Sequence, residues 1–258
     1  YHPRSGLVDH FGGQEDLAKG RIRCVGDPHT RFSEDALRIL RALRFSAVYD
    51  FVLEEDTALA AHDLRATLER VAKERVTAEW CKLVCGRAAE RILGQFADLL
   101  GQIMPGVSSP DGLDATPPSL PLRLAHLARR VDPMRALSCL RLDKDTRRAA
   151  LELAEASALP QPQNAVQVRR LMRVMGKELV DQLYCLKGWP QEELDGVLRR
   201  GDCVCVRQLA VDGHDLMAAG VPAGSAVGAA LERLLDKVVE GDLPNERQAL
   251  LRGLKESE

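Results

Sequence analysis

Aromatic residues are scarce, at 4% of the 258. Strands favour aromatic and β-branched side chains, whereas Leu, Ala, Arg and Glu recur here, so the shortage argues for helices. Long hydrophobic runs are missing too. None approaches the roughly 18 residues needed to span a bilayer, and no basic-then-apolar signal segment opens the chain. The seven cysteines are odd in number and scattered through helical patterns, which suits a reducing cytoplasm better than a disulfide framework. An excess of one charge is also lacking, because a net charge of −2 advertises no nucleic-acid partner by itself.

What is present is a normal globular composition, 45% hydrophobic and 29% charged, able to fill a core. The charge is unevenly spread. Arg21 to Ala47 holds six basic and three acidic residues, Leu120 to Lys177 twelve and five, and Pro190 to Glu258 eight and thirteen. Local basic surfaces can follow a phosphate backbone despite a near-neutral total. Solvated helix faces are the plainer account of any single cluster.

Residues 1–28 are Gly-rich and irregular, with turn signals at Gly12-Gly13 and Gly26-Asp27-Pro28 and a strand-like alternation from Arg21 to Val25. Ser33 is placed to cap a helix over ALRILRALRFSAV. Helical patterns continue over Thr57 to Leu68 and Ala72 to Leu93. The run GVSSPDGLDATPPS, Gly106 to Ser119, has turn and linker composition and is the predicted boundary. Short helices follow to the end, with a break at Trp189-Pro190.

The stretch Glu34 to Phe45 carries the chemistry. Wound at about 100° per residue, it puts Ala36, Ile39, Leu40, Leu43 and Ala47 on one half. Asp35, Arg38, Arg41 and Arg44 step around the other. Arg offers a fork of donors and Asp accepts. Cytosine and adenine each present an amine donor beside a ring-nitrogen acceptor on the Watson–Crick edge, while uracil and guanine present the reverse polarity. One Asp–Arg pair can therefore accept C and A and reject U and G, by the edge-reading logic that operates in nucleic-acid grooves. The other arginines suit triphosphate oxygens. The bland alternative is a helix whose charges pair with each other at i, i+3 spacing.

Two longer stretches resolve that choice by resemblance. GGQEDLAKGRIRCVGDPHTRFSEDALRILRALRF resembles consecutive motifs of the class II nucleotidyltransferase superfamily, which contains tRNA nucleotidyltransferases (CCA-adding enzymes) and bacterial poly(A) polymerases. Asp16, Leu17, Gly20, Ile22, Arg23, Val25, Gly26, Asp27 and Pro28 match the segment linking head to neck. Glu34, Asp35, Arg38, Arg41, Arg44 and Phe45 match the base-reading helix. Glu74 and Arg75, within AKERVTAE, match a further signature. LAVDGHDLMAAGVPAGSAVGAALERLLDKVVEGDLPNERQALL resembles the C-terminal segment of bacterial CCA-adding enzymes, which favours CCA addition over poly(A) synthesis.

The resemblance implies a mainly all-α chain: a short remnant of an α/β nucleotidyltransferase head (1–28), a helical base-reading neck (29–94), a linker region (95–119), a helical body (120–189) and a helical tail that holds tRNA (190–258). Asp35, Arg38, Arg41 and Arg44 would bind ATP and CTP, with Glu34, Asp16, Arg23, Asp27, Glu74 and Arg75 in support. For tRNA phosphates the expected contacts are Arg123, Arg129, Arg130, Arg169, Arg170 and Arg173. Backbone and shape would be read, not sequence. The partners implied are tRNA and nucleoside triphosphates, with no membrane.

The family joins nucleotides with Mg²⁺ held by a carboxylate pair in a Gly-Ser and Asp-x-Asp motif. Asp143-Lys144-Asp145 lacks that lead-in and opens a helical pattern, so N-capping is its expected role. No catalytic or metal-binding residue is therefore expected in this chain, which starts at Tyr1 and reads as a C-terminal part that adds no nucleotide alone. The other readings are a poly(A) polymerase, a split enzyme adding only CC or only A, and an RNA-binding module without chemistry. His62-Asp63 and His214-Asp215 hint at a metal phosphohydrolase, but His126 is followed by Leu, which leaves that ligand set incomplete. Cys81, Cys85, Cys203 and Cys205 lack zinc-site spacing and read as small buried apolar residues.

Overall fold

The computed structural model describes residues 8–255. Residues 1–7 of the expected head remnant, and 256–258 of the expected tail, lie outside them. Sixteen α-helices carry the described part, and its one sheet has two strands. The fold is mainly all-α, as expected. No described helix is long and apolar enough to cross a membrane.

The chain divides into two compact units between Ala158 and Leu159. In the first, α1 (Gly13–Ala18) and β1 (Arg21–Ile22) precede α2 (Pro28–Glu34), α3 (Leu37–Tyr49), β2 (Val52–Leu53) and α4 (Glu55–Leu64). A 3-10 turn (Arg65–Arg70) then leads to α5 (Lys73–Val84), α6 (Ala89–Gln95), α7 (Ala97–Ile103), α8 (Leu120–Ala128), α9 (Pro133–Ser138) and α10 (Lys144–Ala156). The strand expected over Arg21 to Val25 shrinks to two residues, paired parallel with β2, Arg21 opposite Val52 and Ile22 opposite Leu53.

The helix pair α3 and α5 forms the frame of this unit. Leu37, Ile39, Leu40, Leu43 and Ala47 of α3 are buried, as are Trp80, Leu83 and Val84 of α5. Burying each large side chain contributes about 1.5–3 kcal/mol. The expected helix from Ala72 to Leu93 is broken after Val84. Gly86 lies so close to α3 that a Cβ would stand 2.7 Å from the Ala47 carbonyl carbon. Ala88 N–H donates to the Ala47 carbonyl at 3.0 Å. The break lets the backbones touch.

The run Gly106 to Ser119, expected to be a boundary, lies inside the first unit. Its turns are tied to α8 by long-range hydrogen bonds. Thr116 Oγ1 lies 2.8 Å from His126 Nδ1, and His126 Nε2 donates to the Asp111 carbonyl at 2.8 Å. Turn-rich composition guarantees turns, but a neighbouring helix decides whether they are pinned.

The second unit contains α11 (Ala165–Met175), α12 (Lys177–Lys187), α13 (Glu192–Arg200), α14 (Gly213–Ala218), α15 (Ser225–Glu240) and α16 (Arg247–Lys255). Val168, Met172, Val180, Tyr184, Leu194 and Val197 make one apolar cluster. Leu216, Ala230, Leu234, Leu235, Val239 and Leu250 make another. The expected break after α12 is a left-handed Gly188, a conformation that costs glycine little.

Candidate functional site

The acidic-basic stretch does not form one helix. Asp27 caps α2 through Thr30 N at 2.7 Å, so the chain is already helical before Ser33, the expected cap. At Asp35 the backbone turns extended, φ −148° and ψ 101°, and α3 begins afresh. Asp35 Oδ1 then accepts from Leu37 N at 3.1 Å, satisfying a first-turn N–H of α3 just before its N-cap, Ala36. Asp35 therefore stands at the corner between two helices and not on the helical spiral of arginines.

The corner is wired to α5. Asp35 Oδ2 pairs with Arg75 Nη2 at 3.3 Å, and Arg44 Nε with Glu79 Oε2 at 2.6 Å. Both Arg44 and Glu79 are largely buried, and the Arg44 guanidinium also lies 3.9 Å over the Phe45 ring. Arg38 turns the other way, donating to Glu34 Oε2 at 2.6 Å and to the Arg31 carbonyl at 2.9 Å. Arg41 is exposed. Arg38 and Arg41 border a hollow of 180 Å³ floored by Phe32, Ala42 and Phe45. A flat apolar floor under guanidinium donors can take an aromatic base and an anion together.

The supporting residues take structural posts. Asp16 is buried and pairs with Arg21 and Arg23. The Arg23 guanidinium, followed by that of Arg21, holds the Asp16 carboxyl below its usual range. Asp27 is likewise held low by its bonds to Thr30. Glu74 is exposed, 3.7 Å from Arg141. Glu79 is the residue that sequence reasoning missed. Its signal was its spacing, since Arg75 and Glu79 lie four apart and so share one face of α5.

The six arginines expected at tRNA phosphates divide sharply. Arg123 is removed from that set. It is 3% exposed and donates to the Thr116, Val84 and Gly86 carbonyls at 3.0, 2.7 and 2.5 Å. Three in the second unit are already neutralised. Arg169 pairs with Asp202 at 3.0 Å, Arg170 with Glu240, and Arg173 with Asp236 and with Glu232, the last at 2.8 Å. A phosphate would have to displace a carboxylate at each. Arg129 is half-buried and gives one N–H to the His126 carbonyl at 2.6 Å, and Arg130 is exposed.

The His-Asp dipeptides are occupied elsewhere. His62 stacks on Phe96 at 4.1 Å, Asp63 pairs with His29 at 3.0 Å, and Asp215 pairs with Arg247. Among the described residues, no group of three or more His, Cys, Asp or Glu could hold a metal ion. Asp143 caps α10 through Thr146 N at 2.9 Å. Burial pushes the Cys81 thiol up to about 11 and raises Cys85 as well, which leaves both poor thiolate ligands.

Residues 124–254 match the family described as "tRNA nucleotidyltransferase domain 2 putative", and residues 50–109 match "Probable RNA and SrmB- binding site of polymerase A". The CCA-adding enzyme of Limosilactobacillus reuteri is 31% identical over 270 residues, covering 97% of this chain and 66% of that protein. The chain thus spans just under two thirds of that curated relative. The Bacillus stearothermophilus CCA-adding enzyme, in a crystal structure with CTP, superposes with a TM-score of 0.76 at 28% identity, over 97% of this chain and 68% of the other. The Thermotoga maritima CCA-adding enzyme, complexed with tRNA, shares the fold at TM-score 0.69 and 21% identity, over 97% and 67%. The family match covers more than half of the chain, and with the corner around Asp35 it supports one conclusion: the chain belongs to the tRNA nucleotidyltransferase family.

Proposed function

We propose that this chain selects the incoming base and holds tRNA within a cytoplasmic enzyme that adds CCA to tRNA 3′ ends from CTP and ATP. One observation carries the reading: Arg38 and Arg41 border a hollow floored by Phe32, Ala42 and Phe45, Asp35 stands at the corner where α3 begins, and Arg44 lies further along the same helix. In this reading the Asp35 carboxylate supplies the acceptor and an arginine of α3 the donor for one Watson–Crick edge. The Arg75 bond holds the Asp35 carboxylate in a single orientation before any base arrives, and the buried Glu79 does the same for Arg44. Such pre-organisation lowers the ordering cost of binding. Arg41, exposed at the rim, is the group for triphosphate oxygens.

The CTP complex of one relative and the tRNA complex of another support the same substrates here. Bond formation in this chemistry uses Mg²⁺ on a carboxylate pair. In this reading the carboxylate pair belongs to other residues of the enzyme. What this chain contributes is recognition.

Asp35→Ala tests the base-reading role. Saturation-transfer NMR with CTP, ATP, UTP and GTP should show C and A favoured by the unaltered protein and no preference in the variant, with tRNA affinity unchanged. Equal loss of nucleotide and tRNA binding would assign Asp35 to folding instead.

A further inference from the structure

A second anion site lies away from the base-reading corner. Between the loop at Val107 and the C-terminal end of α8 is a hollow of 120 Å³, bordered by Ser108, Ser109, Asp111, Arg129 and Arg130. That is roughly four times the volume water occupies in the liquid. It has room for a tetrahedral anion.

The chemistry of the lining is one-sided. Arg129 and Arg130 are adjacent and, among the described residues, neither pairs with a carboxylate. Arg129 gives one N–H to the His126 carbonyl, and Arg141 and Arg147 of the same basic stretch are also engaged. Arg147 donates to the Leu137 carbonyl at 3.0 Å and to that of Leu140, and Arg141 lies 3.7 Å from Glu74. Burial, and then the neighbouring Arg130 charge, disfavour the protonated form of Arg129. An anion between the two would relieve both effects.

The hydroxyls are presented on a fixed turn. Val107 is buried, and its N–H donates to the Met104 carbonyl at 3.1 Å. On the other side, Leu113 N–H bonds to the Pro110 carbonyl at 2.9 Å, and His126 clasps the Asp111 carbonyl. Ser108 and Ser109 sit between these anchors. Ser109 Oγ accepts from Asp111 N at 3.1 Å, which leaves its O–H to donate. The Ser109 hydroxyl, the exposed Ser108 beside it and two guanidiniums are the complement of phosphate oxygens.

We propose that this hollow binds a single phosphate group of an RNA backbone, held by Arg129, Arg130, Ser108 and Ser109. The assignment rests on the tRNA-holding role proposed above and narrows it to one pocket of the first unit. The Asp111 carboxylate, which also borders the hollow, opposes the anion and sets the affinity below its maximum.

The experiment measures tRNA affinity by filter binding over a range of salt, and inorganic phosphate binding by calorimetry. Arg130→Gln should weaken tRNA binding about tenfold, as expected for a lost charge-assisted hydrogen bond. It should also flatten the dependence of log affinity on log salt by roughly 0.7–0.9, the share of one phosphate contact. Ser108→Ala should weaken binding less, Arg130→Lys should restore part of it, and Asp111→Asn should tighten it. Because Arg130 is exposed, its substitution leaves the core intact, and circular dichroism checks that.

Unchanged affinity and slope in Arg130→Gln, with tight tRNA binding by the unaltered protein, would overturn this site and leave the broader reading standing. If the unaltered protein bound no tRNA at all, the broader reading itself would fall. Phosphate binding that is lost in Arg130→Gln while tRNA affinity holds would overturn the assignment to RNA in favour of free phosphate.

Discussion

At Gly86 a Cβ would meet Ala47 of α3 at 2.7 Å through backbone atoms that cannot swing aside. Gly86→Ala should therefore destabilise the first unit by roughly 1–3 kcal/mol, the usual penalty of overpacking, read as a lower urea midpoint. His126 makes a different kind of prediction. It is 7% exposed, and burial lowers its pKa from the usual 6.5. The unfolded chain therefore binds the proton more readily than the folded one. Its contribution to stability is complete above pH 6.5 and is lost as the pH falls through the lowered folded value. Melting temperature should fall between about pH 7 and pH 5.5, and more steeply than in His126→Gln. Equal slopes in the two proteins would show that other groups govern the acid limb.

At the scale of elements, α11 and α15 are joined by a ladder in which Arg170 and Arg173 meet Glu240, Asp236 and Glu232. Its rungs differ in burial. Arg170 and Glu240 are open to solvent, and exposed ion pairs contribute little. Asp202 is 13% exposed between Arg169 and Arg200. Burial works against its ionisation, yet the two guanidiniums win and hold its carboxyl below the usual range. Asp202→Asn, which leaves Arg169 without its counter-charge, should cost about 3 kcal/mol or more, while Arg170→Ala leaves the urea midpoint nearly unmoved. The same elements show what periodicity can and cannot reveal. The amphipathic faces of α3, α10 and α15 follow from i, i+3 and i+4 spacing, and the Asp143 cap was legible from its place before DKDTRRAAL. The break after Val84 was not, because its cause is the approach of Ala47, some forty residues away in the chain.

At the scale of the whole molecule, the proposed reading assigns recognition and bond formation to different residues. Among the described residues, no group of three or more His, Cys, Asp or Glu could hold a metal ion, and the proposed roles are binding ones. Purified chain incubated with CTP, ATP, Mg²⁺ and a tRNA lacking its 3′ CCA should therefore leave the RNA unextended on a sequencing gel. Extension at the rate of a complete CCA-adding enzyme would show that the chain supplies its own catalytic carboxylates. The division between Ala158 and Leu159 also changes how the surface charge is read. The basic stretch from Arg123 to Arg173 crosses that division. Two of its first-unit members, Arg129 and Arg130, pair with no carboxylate among the described residues, while Arg169, Arg170 and Arg173 of the second unit meet Asp202 and acids of α15. One compositional patch is thus two different surfaces.

The amino-acid sequence by itself determined the helical class and most helix positions, and its motifs supplied the residues proposed to read the base. Those depend on local spacing and on motifs that stay contiguous. Only the tertiary structure decided that Asp35 stands at a corner held by Arg75, that Arg44 is backed by Glu79, and that Arg123 is buried under three carbonyls. The reason is physical. An arginine has the same charge and the same five donors wherever it sits in the chain. Whether they meet a carbonyl, a carboxylate or an open hollow depends on groups tens of residues away.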